Sequence, residues 1–183
     1  ENLSEYVTGL RIVELRADLT TFVKGRQLDD DGNVLVRFQK GVRGVLHASQ
    51  VSIGEDNALS IRIYGERKGL EWHQEEPNVL RVKRSNGPVE LWSRGQGYVA
   101  DKSPAAARAS SLPAGHPEAF HEAFANVYRN VADTIRAKLE RSRPDPLALD
   151  YPTVDDGLRG MLFIAAVLES AGANRRWTRV STR

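Results

Sequence analysis

Two short stretches of this chain hold side chains able to do chemistry. The first is Gly115-His116-Pro117, directly ahead of Glu118 and of a long amphipathic run that carries Glu122. An imidazole on a stiff turn can give or take a hydrogen bond near neutral pH, so His116 either presents its ring to a bound molecule or is a solvated turn residue. The second is Gly54-Glu55-Asp56-Asn57. From residue types alone it reads as a polar turn, with Glu55 and Asn57 as its hydrogen-bonding groups.

Other patterns fail on spacing. Gly95-Gln96-Gly97-Tyr98-Val99-Ala100 fits G-x-G-x-x-A, but a dinucleotide fingerprint must open a long helix inside a βαβ unit, and Asp101-Lys102-Ser103-Pro104 is a poor start for one. Asp29, Asp31 and Gly32 echo a calcium loop. With Gly32 in the sixth place, however, the first and twelfth places fall on Gln27 and Phe38, which cannot supply the required carboxylates. His116 and His121 are five residues apart and lie on different faces of a helix. His47 and His73 sit in strand contexts. No nucleophile elbow is readable.

Composition narrows the classes further. The chain has 183 residues, 40% of them hydrophobic and 27% charged, with a formal net charge of +2. That is enough for one domain with a sizeable core. The basic residues are scattered apart from a small cluster at Arg175, Arg176, Arg179 and Arg183, whereas a nucleic-acid surface needs a concentrated stripe. There is no cysteine, which removes disulfides, thiolate catalysis and Cys-ligated zinc and fits a reducing, cytoplasmic setting. No apolar run reaches the roughly 18 residues of a membrane helix.

The elements that must position these residues come in two blocks. Up to about residue 93 the chain reads as strands: Ile12 to Val23, Val34 to Phe38, Arg43 to Val51, Ala58 to Tyr64, Gly69 to His73, Val79 to Lys83 and Val89 to Trp92. Short turns such as Ser85-Asn86-Gly87-Pro88 favour antiparallel hairpins. The Ala- and Ser-rich stretch from Asp101 to Leu112 reads as a surface crossing with room for a short helix. Pro117 to Glu140 then reads as a helix, with Pro117 at its first position and Phe120, Phe124, Val127, Val131, Ile135 and Leu139 as its buried stripe. A second helix opens at Thr153 and buries Leu158, Leu162, Ala165 and Leu168. Trp177 to Val180 reads as a last strand. Strands followed by helices predict an α+β fold: an open, mostly antiparallel sheet with helices packed on one face. Val34-Leu35-Val36 and Gly44-Val45-Leu46 are apolar on both sides, so the uncovered face is expected to meet another subunit or domain.

A set of phrases in a fixed order resembles the C-terminal domain of the Gfo/Idh/MocA family, which includes glucose–fructose oxidoreductase and inositol dehydrogenase. They are Leu3-Ser4-Glu5-Tyr6-Val7-Thr8-Gly9, Leu28-Asp29-Asp30-Asp31, Gly44-Val45-Leu46-His47-Ala48-Ser49-Gln50, Tyr64-Gly65-Glu66 through Gly69-Leu70-Glu71-Trp72, Leu112-Pro113-Ala114-Gly115-His116-Pro117-Glu118 with Glu122-Ala123-Phe124-Ala125-Asn126-Val127-Tyr128, and Pro152-Thr153-Val154-Asp155-Asp156-Gly157. The resemblance runs over nearly the whole of residues 1–183. The resemblance implies a dihydrodipicolinate reductase-like C-terminal domain that completes a substrate pocket and forms a homodimer or homotetramer through its sheet face. It implies a parent enzyme that oxidises or reduces a sugar, sugar derivative or polyol with NAD or NADP held by an N-terminal Rossmann domain. The family's Lys and its Asp-x-x-x-His pair do not occur in this chain and are expected upstream of Glu1, so the chain alone is expected to be inactive and to bind no cofactor or metal. Substrate binding is implied for His116, Glu55 and Asn57, while Trp72 reads as interface or core packing. The competing reading is a non-catalytic α+β dimerisation or ligand-sensing module.

Overall fold

Strand β1 (Ile12–Thr20) alternates Leu15, Ala17 and Leu19 with Glu14, Arg16 and Asp18, the period of a sheet with one dry face. The computed structural model describes residues 1–174 and 176–181; Arg175 and Arg183 of the basic cluster lie outside the described residues. The chain divides into two compact units, Glu1–Glu55 with Pro152–Arg183, and Asp56–Tyr151.

In the first unit, β1 pairs antiparallel with β2 (Asp31–Phe38), and β2 pairs with β3 (Arg43–Ser49). A short strand, Thr178–Arg179, the last of the fold and hence β8, closes the other edge. A register shift between Ile12 and Glu14 lets Ile12 share the dry face with Leu15, Ala17, Val34, Val36 and Phe38. The helix α5 (Val154–Gly172) covers that face with Phe163, Ala166 and Val167. Each such side chain stabilises the unit by about 1.5–3 kcal/mol on burial, less for alanine. Residues 163, 166, 167 and 170 follow helical spacing. The stripe expected from sequence was Leu158, Leu162, Ala165 and Leu168; Leu158 is 47% and Leu168 56% exposed. The physical reason is that α5 is apolar over most of its circumference, so periodicity does not choose a face. Polar anchors choose it instead. Ser170 Oγ accepts the Ala17 N–H at 3.0 Å and donates to the Arg176 carbonyl at 2.7 Å, and Arg159 is buried against α1 (Asn2–Thr8).

The outer face of this sheet is mixed. Leu35 and Val45 are exposed on it beside Arg37, which bonds Glu14 at 2.6 Å and stands 3.7 Å from the centre of the Trp177 ring.

In the second unit, β4 (Ser60–Tyr64), β5 (Lys68–His73), β6 (Val79–Arg84) and β7 (Glu90–Ser93) form an antiparallel meander. Its register puts Ile61, Ile63, Leu70, Trp72, Leu80, Val82 and Trp92 on one face, with Arg62, Glu71, Arg81 and Leu91 on the other. The fold is therefore α+β with antiparallel sheets, as expected, but the eight strands of the described residues form two four-stranded sheets. Among the described residues no ladder joins β3 to β4, and the exposed residues 52–59 run between them.

A one-turn helix α2 (Gly97–Ala100) and a short α3 (Pro104–Ala109) precede α4 (Phe120–Leu139). Four of the six residues of the expected core stripe of α4 face solvent, Phe120, Phe124, Ile135 and Leu139 being more than half exposed, while Val127 and Val131 are half-buried. What α4 buries is Asn130 and Ala137. The helix is held by polar stitches. Asn126 Nδ2 donates to the Ala109 carbonyl at 2.7 Å, Arg129 to the Arg108 carbonyl at 2.7 Å, and Asn130 Nδ2 to the Asp150 carbonyl at 3.0 Å. Arg108 answers from α3, reaching Asn130 Oδ1 at 3.2 Å and Asp133 at 2.8 Å.

Candidate functional site

Residues 111–118 form a loop whose shape is set almost entirely by three side chains. Arg94, just past β7, donates through Nη1 to the Leu112 carbonyl at 3.0 Å and through Nη2 to the carbonyls of Pro113, at 3.3 Å, and His116. Its Nε donates to Asn78 Oδ1 at 2.9 Å. Asn78 in turn accepts the Glu118 N–H at 3.0 Å and donates to the Glu118 carbonyl at 2.8 Å. Glu118 is buried. Its carboxylate accepts the N–H groups of Ser111, at 2.6 Å, and Leu112, and lies 3.3 Å from Arg94. A buried carboxylate is tolerable here because a guanidinium and two backbone donors compensate it.

Gly95 makes the knot possible. Its φ is +76°, and a Cβ there would sit 3.2 Å from both the N and Cα of Ala114, which backbone atoms cannot relieve. The close approach explains a glycine that the sequence offers as part of a phosphate loop. The next helix, Gly97–Ala100, has one turn, and a side chain at Gly97 would meet nothing within 4 Å. A fingerprint glycine is needed where the backbone must approach a pyrophosphate. These residues do not fit a dinucleotide.

At the tip, the His116 N–H closes a turn onto the Pro113 carbonyl at 3.2 Å, with Gly115 at φ +84°. The His116 ring is exposed, and no side chain among the described residues hydrogen-bonds it. So the main chain at His116 is fixed and the imidazole is open to solvent. The helix beyond starts at Phe120, three residues later than the Pro117 start expected. The arginine–glutamate knot holds 117–118 in the loop, and Glu122 accepts the Ala119 N–H at 2.9 Å. That bond, foremost, and the backbone N–H of Glu122 itself hold the Glu122 carboxyl below its ordinary value. The N–H groups of Glu118 and Ala119 are thus already taken by the protein's own oxygens and are not free for a ligand.

Glu55 and Asn57 lie in the exposed loop after β3. The Glu55 N–H donates to the Ser52 carbonyl at 3.2 Å, and the Asn57 N–H donates to Glu75 at 3.4 Å. Glu55 belongs to the first unit and Asn57 to the second, and no hydrogen bond among the described residues joins either to His116. Arg94, Asn78 and Glu118 were not foreseen from sequence; their sequence separations of 16 and 40 residues leave no local signal.

Two antiparallel sheets with helices laid on them, and a histidine on a locked turn ahead of a long helix, define an α+β domain with no βαβ dinucleotide-binding unit among the described residues. Residues 2–71 match the model of the GFO/IDH/MocA C-terminal domain, and the chain belongs to that family. An uncharacterized oxidoreductase of Bacillus subtilis is 31% identical over 169 residues, 92% of this chain and 42% of the relative. The structure of an oxidoreductase from Sinorhizobium meliloti is 46% identical, with a TM-score of 0.88, over 96% of this chain and 48% of that one. An inositol dehydrogenase homolog from Azotobacter vinelandii, solved with NADH and myo-inositol, is 30% identical with a TM-score of 0.84, over 97% of this chain and 46% of its own. The chain spans less than half the length of these relatives. No helix among the described residues is long and apolar enough to cross a membrane.

Proposed function

We propose that this chain is the substrate-binding and oligomer-forming half of a nicotinamide-dependent oxidoreductase that acts on a sugar, sugar derivative or polyol by hydride transfer. The observation that carries this reading is the match, over 97% of the chain, to a homolog solved with NADH and myo-inositol. In this reading a separate N-terminal domain supplies the NAD or NADP site and the proton-transferring residues. This chain's part is to bind and orient. His116, on a main chain that Arg94 immobilises, hydrogen-bonds one substrate hydroxyl, and Glu55 and Asn57 offer further polar contacts from their loop. Holding the ring on a rigid turn lowers the ordering cost of binding. The sheet faces left open, which carry Leu35 and Val45 in one unit and Leu91 in the other, are where a second copy packs.

The test is kinetic. In the longer protein that includes this chain, NAD+ or NADP+ reduction is followed with myo-inositol and simple sugars. His116→Ala is expected to raise KM about ten-fold, the worth of one lost hydrogen bond, with the melting temperature unchanged. Unaltered kinetics would return His116 to the role of a solvated turn residue. Calorimetric titration of this chain alone with NAD+ and NADP+ is expected to show no binding, and a micromolar site would overturn the division of labour.

A further inference from the structure

The inner face of the second unit's sheet does not close onto the helices above it. A cavity of about 470 Å³ lies between Trp72, Leu80 and Trp92 on the strands and Val99, Ala100 and Ala106 on α2 and α3. The volume falls in the range of small-molecule sites. The space exists because α3 reads Pro-Ala-Ala-Ala-Arg-Ala, and methyl groups cannot reach across to the indoles.

The chemistry of the walls is selective. Gln96 apart, the polar side chains of the walls are already bonded inside the protein. Trp72 Nε1 donates to the Pro77 carbonyl at 3.0 Å, Trp92 Nε1 to Glu90 at 2.9 Å, and Ser110 Oγ to the Ala106 carbonyl at 3.0 Å. Asn78 and Arg94 are consumed by the 111–118 loop. A polyol entering here would give up water for very few hydrogen bonds, a net cost. An aromatic ring loses nothing of the kind and gains two indole surfaces. Charge adds a second criterion. The Nζ atoms of Lys68 and Lys102 stand 5.8 and 5.7 Å from the centre of the Trp92 ring, and neither lysine forms a salt bridge among the described residues.

We propose that this cavity is a binding site for a small aromatic anion, an aryl carboxylate or sulfonate whose ring enters between the indoles and the alanines while its charge faces Lys68 and Lys102. The inference does not depend on the oxidoreductase reading.

The experiment titrates the chain with the aromatic sulfonate 8-anilinonaphthalene-1-sulfonate and, separately, with its uncharged analogue N-phenyl-1-naphthylamine. Fluorescence gives the affinity and calorimetry the stoichiometry. One sulfonate is expected to bind per chain. Ala100→Leu and Ala106→Leu, on different helices, each fill the cavity and are expected to weaken both probes about ten-fold or more. The pair Lys68→Ala and Lys102→Ala is expected to weaken the sulfonate about five-fold and to leave the neutral probe unchanged. Phe124→Ala, on the exposed face of α4, is expected to change neither. Circular dichroism identifies any variant that does not fold, and two filling variants keep the test open if one fails. The proposal is overturned if a folded filling variant binds the sulfonate as the native chain does. It is equally overturned if Phe124→Ala abolishes binding or if the lysine pair weakens both probes alike.

Discussion

Arg159 on α5 meets Glu5 on α1 at 2.6 Å, with both side chains almost wholly out of water. The carboxylate also accepts the Ile12 N–H at 2.7 Å and a bond from Arg11 at 2.7 Å. The guanidinium goes on to the carbonyls of Ile12 and, at 2.9 Å, Ser181. One ion pair therefore ties together the first helix, the first strand, the last helix and the end of the described chain.

Removing one partner strands the other, so both single variants are expected to be costly. Glu5→Gln leaves a buried guanidinium without its counter-charge, and Arg159→Met leaves a buried carboxylate with only Arg11 and the Ile12 N–H. Each is expected to destabilise the first unit by about 3–5 kcal/mol in urea unfolding. The double variant should cost less than the sum of the two. A loss below about 1 kcal/mol in either single variant would mean that the pair does not hold the unit together.

The same pair sets a pH dependence. Burial pushes the Glu5 carboxyl up, but the bonds from Arg159, Arg11 and the Ile12 N–H outweigh it and hold the group below its ordinary value of 4.5. Asp30 is likewise held down, chiefly by the Phe22 N–H and also by Val23 and Arg26. Lys83 and His73 hold Glu71 at about 2. A carboxyl whose folded pKa is depressed contributes stability above its unfolded value and loses it as pH falls through the folded one. Melting temperature is therefore expected to stay level near neutrality and to fall once pH drops below about 4.5. In Glu5→Gln the fall should be shallower, because one of the linked protons is gone. Identical slopes in the two proteins would remove Glu5 from the account.

Gly95 offers a test of the loop that carries His116. Gly95→Ala must put a methyl 3.2 Å from the Ala114 backbone at a φ of +76°. The expected cost is about 1–3 kcal/mol, and amide exchange should speed up at Ser111, Leu112 and His116, whose N–H bonds define the loop. Gly97→Ala, which meets open space, is the matched control and should leave those amides protected. Equal protection in both variants would show that the loop does not need the glycine.

The sequence made the strands legible because alternation and short turns are local signals. β2 pairs β3, and β6 pairs β7 across Ser85–Pro88, as the hairpin patterns imply. The buried faces of the helices were not legible, for two different reasons. On α5 too many residues are apolar for a stripe to stand out. On α4 the apolar stripe is clear but is not what the helix buries. His116 could be picked out because Gly-His-Pro is a contiguous phrase. The groups that hold it, Arg94, Asn78 and Glu118, meet only through tertiary pairing, and nothing in their local sequence marks them.

That inversion on α4 yields the sharpest contrast between pattern and structure. Phe120, Phe124 and Tyr128 form an exposed aromatic ladder, with centroids 5.8 and 5.4 Å apart along it, whereas Asn130 is 6% exposed. Hydrophobic periodicity alone would make Phe124 the costly residue to truncate and Asn130 a tolerant one. The structure reverses the order. Phe124→Ala removes a side chain at a site that is 53% exposed, and the expected loss is within about 1 kcal/mol. Asn130→Ala removes a buried side chain that donates to the Asp150 carbonyl and accepts from Arg108, and the expected loss is about 1–3 kcal/mol. Both variants are to be compared by urea unfolding under the same conditions, with m-values checked for agreement. If Phe124→Ala proves the more damaging, the aromatic ladder is buried in solution and α4 turns the face that its periodicity predicts toward the interior.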